Sequence, residues 1–179
     1  MCIICKEEYS GLNELFIEKG CNKLITIPNI KGLKKLTLWD CNNLITIYNI
    51  EGLQEVTIYN SKSLTNIDTS GFDTSKVVNM NGMFWGCNNL KNIDVSNFKT
   101  SKVTDMNNMF AECSNLITLD LSNFDTSNVI YMGNLYSYSY GGMFRNCSSL
   151  KELNVSSFNT SKVKYMSNMF QGCSSLTTL

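Results

Sequence analysis

The sequence predicts a solenoid: short parallel strands stacked coil on coil, with short α or 3₁₀ segments in its longer, C-terminal units. Three observations carry that reading. One phrase recurs, as "MFWGCNNLKNIDVSNFKTS", "MFAECSNLITLDLSNFDTS" and "MFRNCSSLKELNVSSFNTS". Six of the eight cysteines fall at one place in successive units: Cys21, Cys41, Cys87, Cys113, Cys147 and Cys173, with Ser61 completing the column. Two apolar columns keep step with it, one from Leu24 and Leu44 to Leu150 and Leu176, the other from Ile27 and Ile47 to Leu153 and Leu179. A unit of this size cannot bury its own apolar face, but a stack of copies can.

Residues 1–10 form an N-terminal segment with a Cys-x-x-Cys pair. Residues 11–60 hold short units of 20 residues, such as "KGLKKLTLWDCNNLITIYNI". Residues 61–179 hold units of 26 residues, which add "TSKVTDMNNMF" between the extended part and the next Cys. One of these carries an insertion at 133–142, and the last repeat is incomplete. No Pro- or Gly-rich linker marks the switch, so one continuous solenoid is expected.

Each element follows from local pattern. "LKNIDVSNF" and its copies place apolar residues at relative positions 1, 4, 6 and 9, the alternation of a short strand. "KTSKV" or "DTSNV" is a turn whose Ser or Thr can cap the next segment. Val103, Met106, Met109, Phe110 and Cys113 then recur at helical spacing, as do Val77 to Cys87 and Val163 to Cys173. That stripe reads as core, not as a cofactor or soft-metal pocket. In the short units the strand pattern precedes the Cys column, and in the long units it follows it. Either the main sheet changes place, or every coil carries two extended segments.

Composition bounds function. Formal net charge is zero, 17% of residues are charged, histidine is absent and Arg145 is the sole arginine. That profile counts against acid–base catalysis and nucleic-acid binding. No run approaches the ~18 apolar residues of a membrane span, and the N-terminus does not read as a signal peptide, so a cytoplasmic location is expected and the thiols are expected to be reduced.

Several residues stand out. The insertion "GNLYSYSYGG" carries Tyr136, Tyr138 and Tyr140 alternating with serine, a composition suited to recognition. Trp39 and Tyr59, equivalent in adjacent units, form a second exposed-aromatic candidate. Cys2 and Cys5 make half of a zinc site, with Cys21 a third thiolate at most, and such a site needs four ligands; no cofactor is therefore expected. Asp68, Asp94, Asp120 and Asn154 share an outward column read as a solvated face, although such a row could also bind calcium or line a partner contact. The matches to Asn-x-Ser/Thr at Asn146, Asn154 and Asn159 read as chance.

The pattern L-x-x-L-x-L-x-x-C, in units of 20 to 29 residues, is that of leucine-rich repeats. The long unit, "MFxxCSxLxxLDLSNFDTSxVxxM", resembles the BspA-like leucine-rich repeats of bacterial and protist surface proteins and of large DNA viruses. The "CNNLITIYNIEGLQEV" type, with "CIICKEEY", looks like leucine-rich-repeat proteins of giant viruses. The resemblance implies a non-enzymatic scaffold for protein–protein contact, in the host cytoplasm if viral. Two alternatives are a surface-displayed adhesin, and a substrate adaptor in which "CIICKEEY" is a degenerate RING-like end. The expected partner is a protein, not a nucleic acid or a membrane, with self-association through the C-terminal edge as a further alternative.

Overall fold

The computed structural model describes residues 11–18, 23–134 and 141–179. Cys2, Cys5, Cys21, Tyr136, Tyr138 and Tyr140 lie outside the described residues.

Among the described residues eight short strands form, in chain order β1 (Glu14–Ile17), β2 (Thr26–Ile27), β3 (Lys35–Trp39), β4 (Thr46–Ile47), β5 (Glu55–Tyr59), β6 (Asn66–Ile67), β7 (Thr118–Asp120) and β8 (Glu152–Asn154). All named pairings are parallel, in the orders β1-β3-β5, β2-β4-β6 and β7-β8. Equivalent residues are partners: Leu15, Leu36 and Val56 in one column, Ile27, Ile47 and Ile67 in another, Leu119 and Leu153 in a third. Successive side chains point to opposite faces, so burial alternates along the strands, with β5 the exception at Val56; in β3, Leu36 and Leu38 are wholly buried while Trp39 is exposed.

This register resolves the open question of strand phase. The segment after the Cys column is extended in both halves, as β2, β4, β6, β7 and β8. The segment before it is a strand in the short coils and becomes a ladder of turns in the long ones.

The expected α or 3₁₀ segments do not form among the described residues; turns stand in their place. In residues 80–87 successive N–H groups alternate between two kinds of partner. Met80, Gly82, Phe84 and Gly86 donate to the next coil, to Asp105, Asn107, Met109 and Ala111, at 2.8–3.0 Å. Met83, Trp85 and Cys87 donate three residues back, to Met80, Gly82 and Phe84. A helix would turn every N–H inward along its own axis. Left-handed residues also interrupt the segment, and a helix cannot pass through them. Just before the Cys column, Asp40, Asn60, Gly86, Glu112, Asn146 and Gly172 all have φ between 55° and 78°. Five of these six are Gly, Asn or Asp, the residues that tolerate that region best.

The stripe is core nonetheless. Met80, Met83, Phe84, Met106, Met109, Phe110, Met143 and Phe144 are buried, while Met166 is 42% exposed in the last coil. Rings stack from coil to coil: Phe84 on Phe110 at 5.7 Å, Phe110 on Phe144 at 6.0 Å and Phe144 on Phe170 at 5.6 Å. Cys41, Cys87, Cys113, Cys147 and Cys173 are free. Burial pushes the Cys41 thiol up to about 11 and Cys87 to about 12. Ser61, the one hydroxyl in this column, is wholly buried with no partner for its Oγ.

Polar side chains tie the long coils together. Asn97 and Asn123 Nδ2 donate to carbonyls one coil back, at Thr69 and Val95, at 2.9 and 3.0 Å. Thr74, Thr100 and Thr126 Oγ1 each accept an N–H from the next coil and donate to the same residue's carbonyl. Asp68, Asp94, Asp120 and Asn154 are exposed, and each accepts the N–H two residues on. The row thus serves as turn caps.

A candidate binding strip on the strand face

Alternation along β1, β3 and β5 sends Phe16, Trp39 and Tyr59 outward, at 59%, 44% and 38% exposure. Trp39 and Tyr59 are register partners. Their rings lie 6.0 Å apart, Phe16 meets Trp39 edge-on at 5.9 Å, and Tyr59 stacks on Trp85 at 4.1 Å. The structure therefore brings together the two aromatics that the sequence singles out and adds two that it does not, Phe16 and Trp85.

Trp85 was legible. It stands two places before the Cys column, as Trp39 and Tyr59 do, in the first unit of the new length. Phe16 was not, because its register partner is Thr37 and it reaches Trp39 diagonally. The column then changes character. Ala111 is buried, and Arg145 pairs with Glu112 while its Nε donates to Gln171 at 3.1 Å. The aromatic strip is thus confined to the short coils and the first long one.

Glu18, Trp39, Asp40 and Tyr59 line a shallow cleft of about 350 Å³ beside the strip. Asn60 Nδ2 donates to Asp40 Oδ1 across one coil. Lys35 Nζ lies 2.8 Å from Glu55 Oε2 on the same sheet face, and the hydrogen bond to Glu55 raises the lysine's pKa. A second aromatic pair, Tyr131 on Tyr165 at 4.9 Å, stands in the column that begins at Asn79 and Asp105.

Among the described residues no group of three or more His, Cys, Asp or Glu side chains could hold a metal ion, and no helix is long and apolar enough to cross a membrane. The strip offers ring surface with the carboxylates of Glu18 and Asp40 beside it.

Parallel pairing at equivalent positions, coil after coil, defines a repeat protein built from short strands and turns, with a contiguous aromatic strip on one face. More narrowly, the chain belongs to the family described as "Mycoplasma protein of unknown function, DUF285", which matches residues 51–141 and 138–178. No curated protein matches the chain, and no solved structure does.

Proposed function

We propose that the protein is a non-enzymatic binding module, a leucine-rich-repeat solenoid of the BspA-like kind that docks a partner protein on the strip formed by Phe16, Trp39, Tyr59 and Trp85. The observation that carries this reading is the strip itself. Four aromatic side chains touch in series on the outer face, where a solvated surface would carry polar groups. Rigid aromatic anchors of this type dominate the binding energy of protein interfaces.

Ring orientation favours protein over sugar as the occupant. Sugar stacking needs open ring faces, and the Tyr59 and Trp85 faces cover each other at an interplanar angle of 13°. Such a pair presents outward an apolar ridge of ring edges, suited to aliphatic and aromatic side chains. The insertion that carries Tyr136, Tyr138 and Tyr140 is proposed as a second contact.

The test is site-resolved photo-crosslinking in the source cell. A photoreactive residue at Trp39 should capture one dominant protein, the same residue at Asp120 should not, and Phe16→Ser should abolish capture from Trp39. Equal adducts from both positions, or binding of the purified chain to a glycan panel with loss on Trp39→Ser, would overturn the reading.

A further inference from the structure

The change of coil length leaves a step in the stack, and the step carries an open backbone edge. In β5, Glu55, Thr57 and Tyr59 turn their backbone groups to β3: Glu55 N–H donates to the Lys34 carbonyl at 2.9 Å, and Asp40 N–H to the Tyr59 carbonyl at 2.9 Å. Ile58 and Asn60 turn the other way, donating to Met83 and Trp85 carbonyls at 2.8 and 2.7 Å. By strand alternation Val56 shares their side.

Among the described residues no backbone bond joins Val56 to the next coil. The next coil is bridged at Leu53–Phe72, just before β5, and meets the strand again where Ile58 bonds Met83. Between those points residues 54–57 face residues 73–82, so the six additional residues of the long unit leave the sheet at this place. Val56 is accordingly half-buried, whereas Leu36, its partner one coil back, is wholly buried.

The excursion opens a groove of about 640 Å³, whose lining includes Lys35, Thr37, Val56, Lys76, Val78 and Met83. Its far wall is also an edge. Thr104 N–H donates to the Val78 carbonyl and Met80 N–H to the Asp105 carbonyl, both toward the following coil, which turns the Asn79 peptide groups to the groove. Val78 is 52% exposed at the rim. Lys35 is engaged with Glu55. Lys76 makes no ion pair within 4 Å among the described residues, although its charge reaches the Asp73 carboxyl and helps to lower that group's pKa, so it remains the less engaged of the groove's two lysines.

We infer that this groove accepts an extended segment of a partner polypeptide, added as a strand against Val56, with an apolar side chain over Val78 and Met83 and an acidic one toward Lys76. Unpaired N–H and C=O groups at a sheet edge are the template for such addition. The inference stands apart from the aromatic strip.

Backbone amide exchange followed by NMR on the full chain tests it, with the capped peptide Asp-Val-Thr-Val-Thr as probe. In the free protein the Val56 amide should exchange at least about tenfold faster than that of Ile58, which is bonded to the next coil. Millimolar peptide should slow Val56 several-fold and leave Ile58 unchanged. An analogue methylated on its central backbone nitrogen should slow it less, as should the original peptide on Lys76→Glu. A Val56 amide already as slow as Ile58, no slowing with peptide, or equal slowing by the methylated analogue overturns the inference. Slowing that grows with protein concentration in the absence of peptide would assign the groove to a second copy and overturn it equally.

Discussion

The short and long coils solve one problem, joining a copy to a copy, by different means. From Gly11 to Asn60 backbone strands pair on two sides of each coil, and side chains are left to fill the core and decorate the face. From Ser61 onward the strand before the Cys column is replaced by turns, and Asn and Thr side chains supply bonds that strands no longer make. The difference teaches that stacking is the shared requirement and strand geometry is one way to meet it. The aromatic strip stops for a separate reason: backbone pairing between coils continues past Trp85, but the column goes on as Ala111, Arg145 and Gln171.

The sharpest way to break the comparison is to hollow each core. Phe110 is wholly buried between the rings of Phe84 and Phe144, so Phe110→Ala should cost about 3–5 kcal/mol by urea unfolding. Leu36→Ala, in the short half, should cost about 2–5 kcal/mol. A Phe110→Ala cost below that of Leu36→Ala would show that the ring stack is not what holds the long coils.

A smaller effect tests the side-chain ladder. Thr100 is buried, its Oγ1 accepts the Asp125 N–H at 2.8 Å and donates to the Asp125 carbonyl at 3.1 Å. Thr100→Val keeps the shape and orphans both backbone groups, at a cost of about 1–3 kcal/mol. An unchanged urea midpoint would mean that the ladder merely accompanies the stack.

The smallest effect is one of pH. Hydrogen bonds from the serine two residues on hold the carboxyls of Asp68, Asp73, Asp94, Asp120 and Asp125 below their ordinary 3.8; the hydroxyl dominates at Asp68, Asp73 and Asp125, the backbone N–H at Asp94 and Asp120. A depressed folded-state pKa contributes stability above the unfolded value, and that contribution is lost as pH falls from about 3.8 through the folded value. All five lie in the long units, so acid should weaken that half. Asp120→Asn keeps the cap, as Asn154 does in the same column, and should flatten part of the acid slope. A variant that unfolds along the wild-type pH curve would remove this account.

Much of the architecture could be read from the columns. Ile27, Ile47 and Ile67 are in register in the sequence and are partners in space, because a residue that must pack on its own copy leaves a periodic trace. The turn ladder could not be read that way. Met106, Met109, Phe110 and Cys113 face inward at spacings that a helix and a chain of three-residue turns share. The two are separated by the backbone sign at Asn108 and Glu112, with φ of 58° and 63°, and glutamate gives no hint of it. The groove was hidden for another reason. It belongs to neither coil type, and exists only because ten residues are set against four at their junction.

The bonds between coils run along the stacking direction, and that has a mechanical meaning. Force applied to the two ends of such a stack is expected to peel units away singly instead of shearing the whole assembly. Each short winding released would lengthen the tether by about 70 Å and each long one by about 90 Å, at ~3.5 Å per residue. Extension of such a stack would therefore proceed in steps of two sizes, the change falling near Ser61.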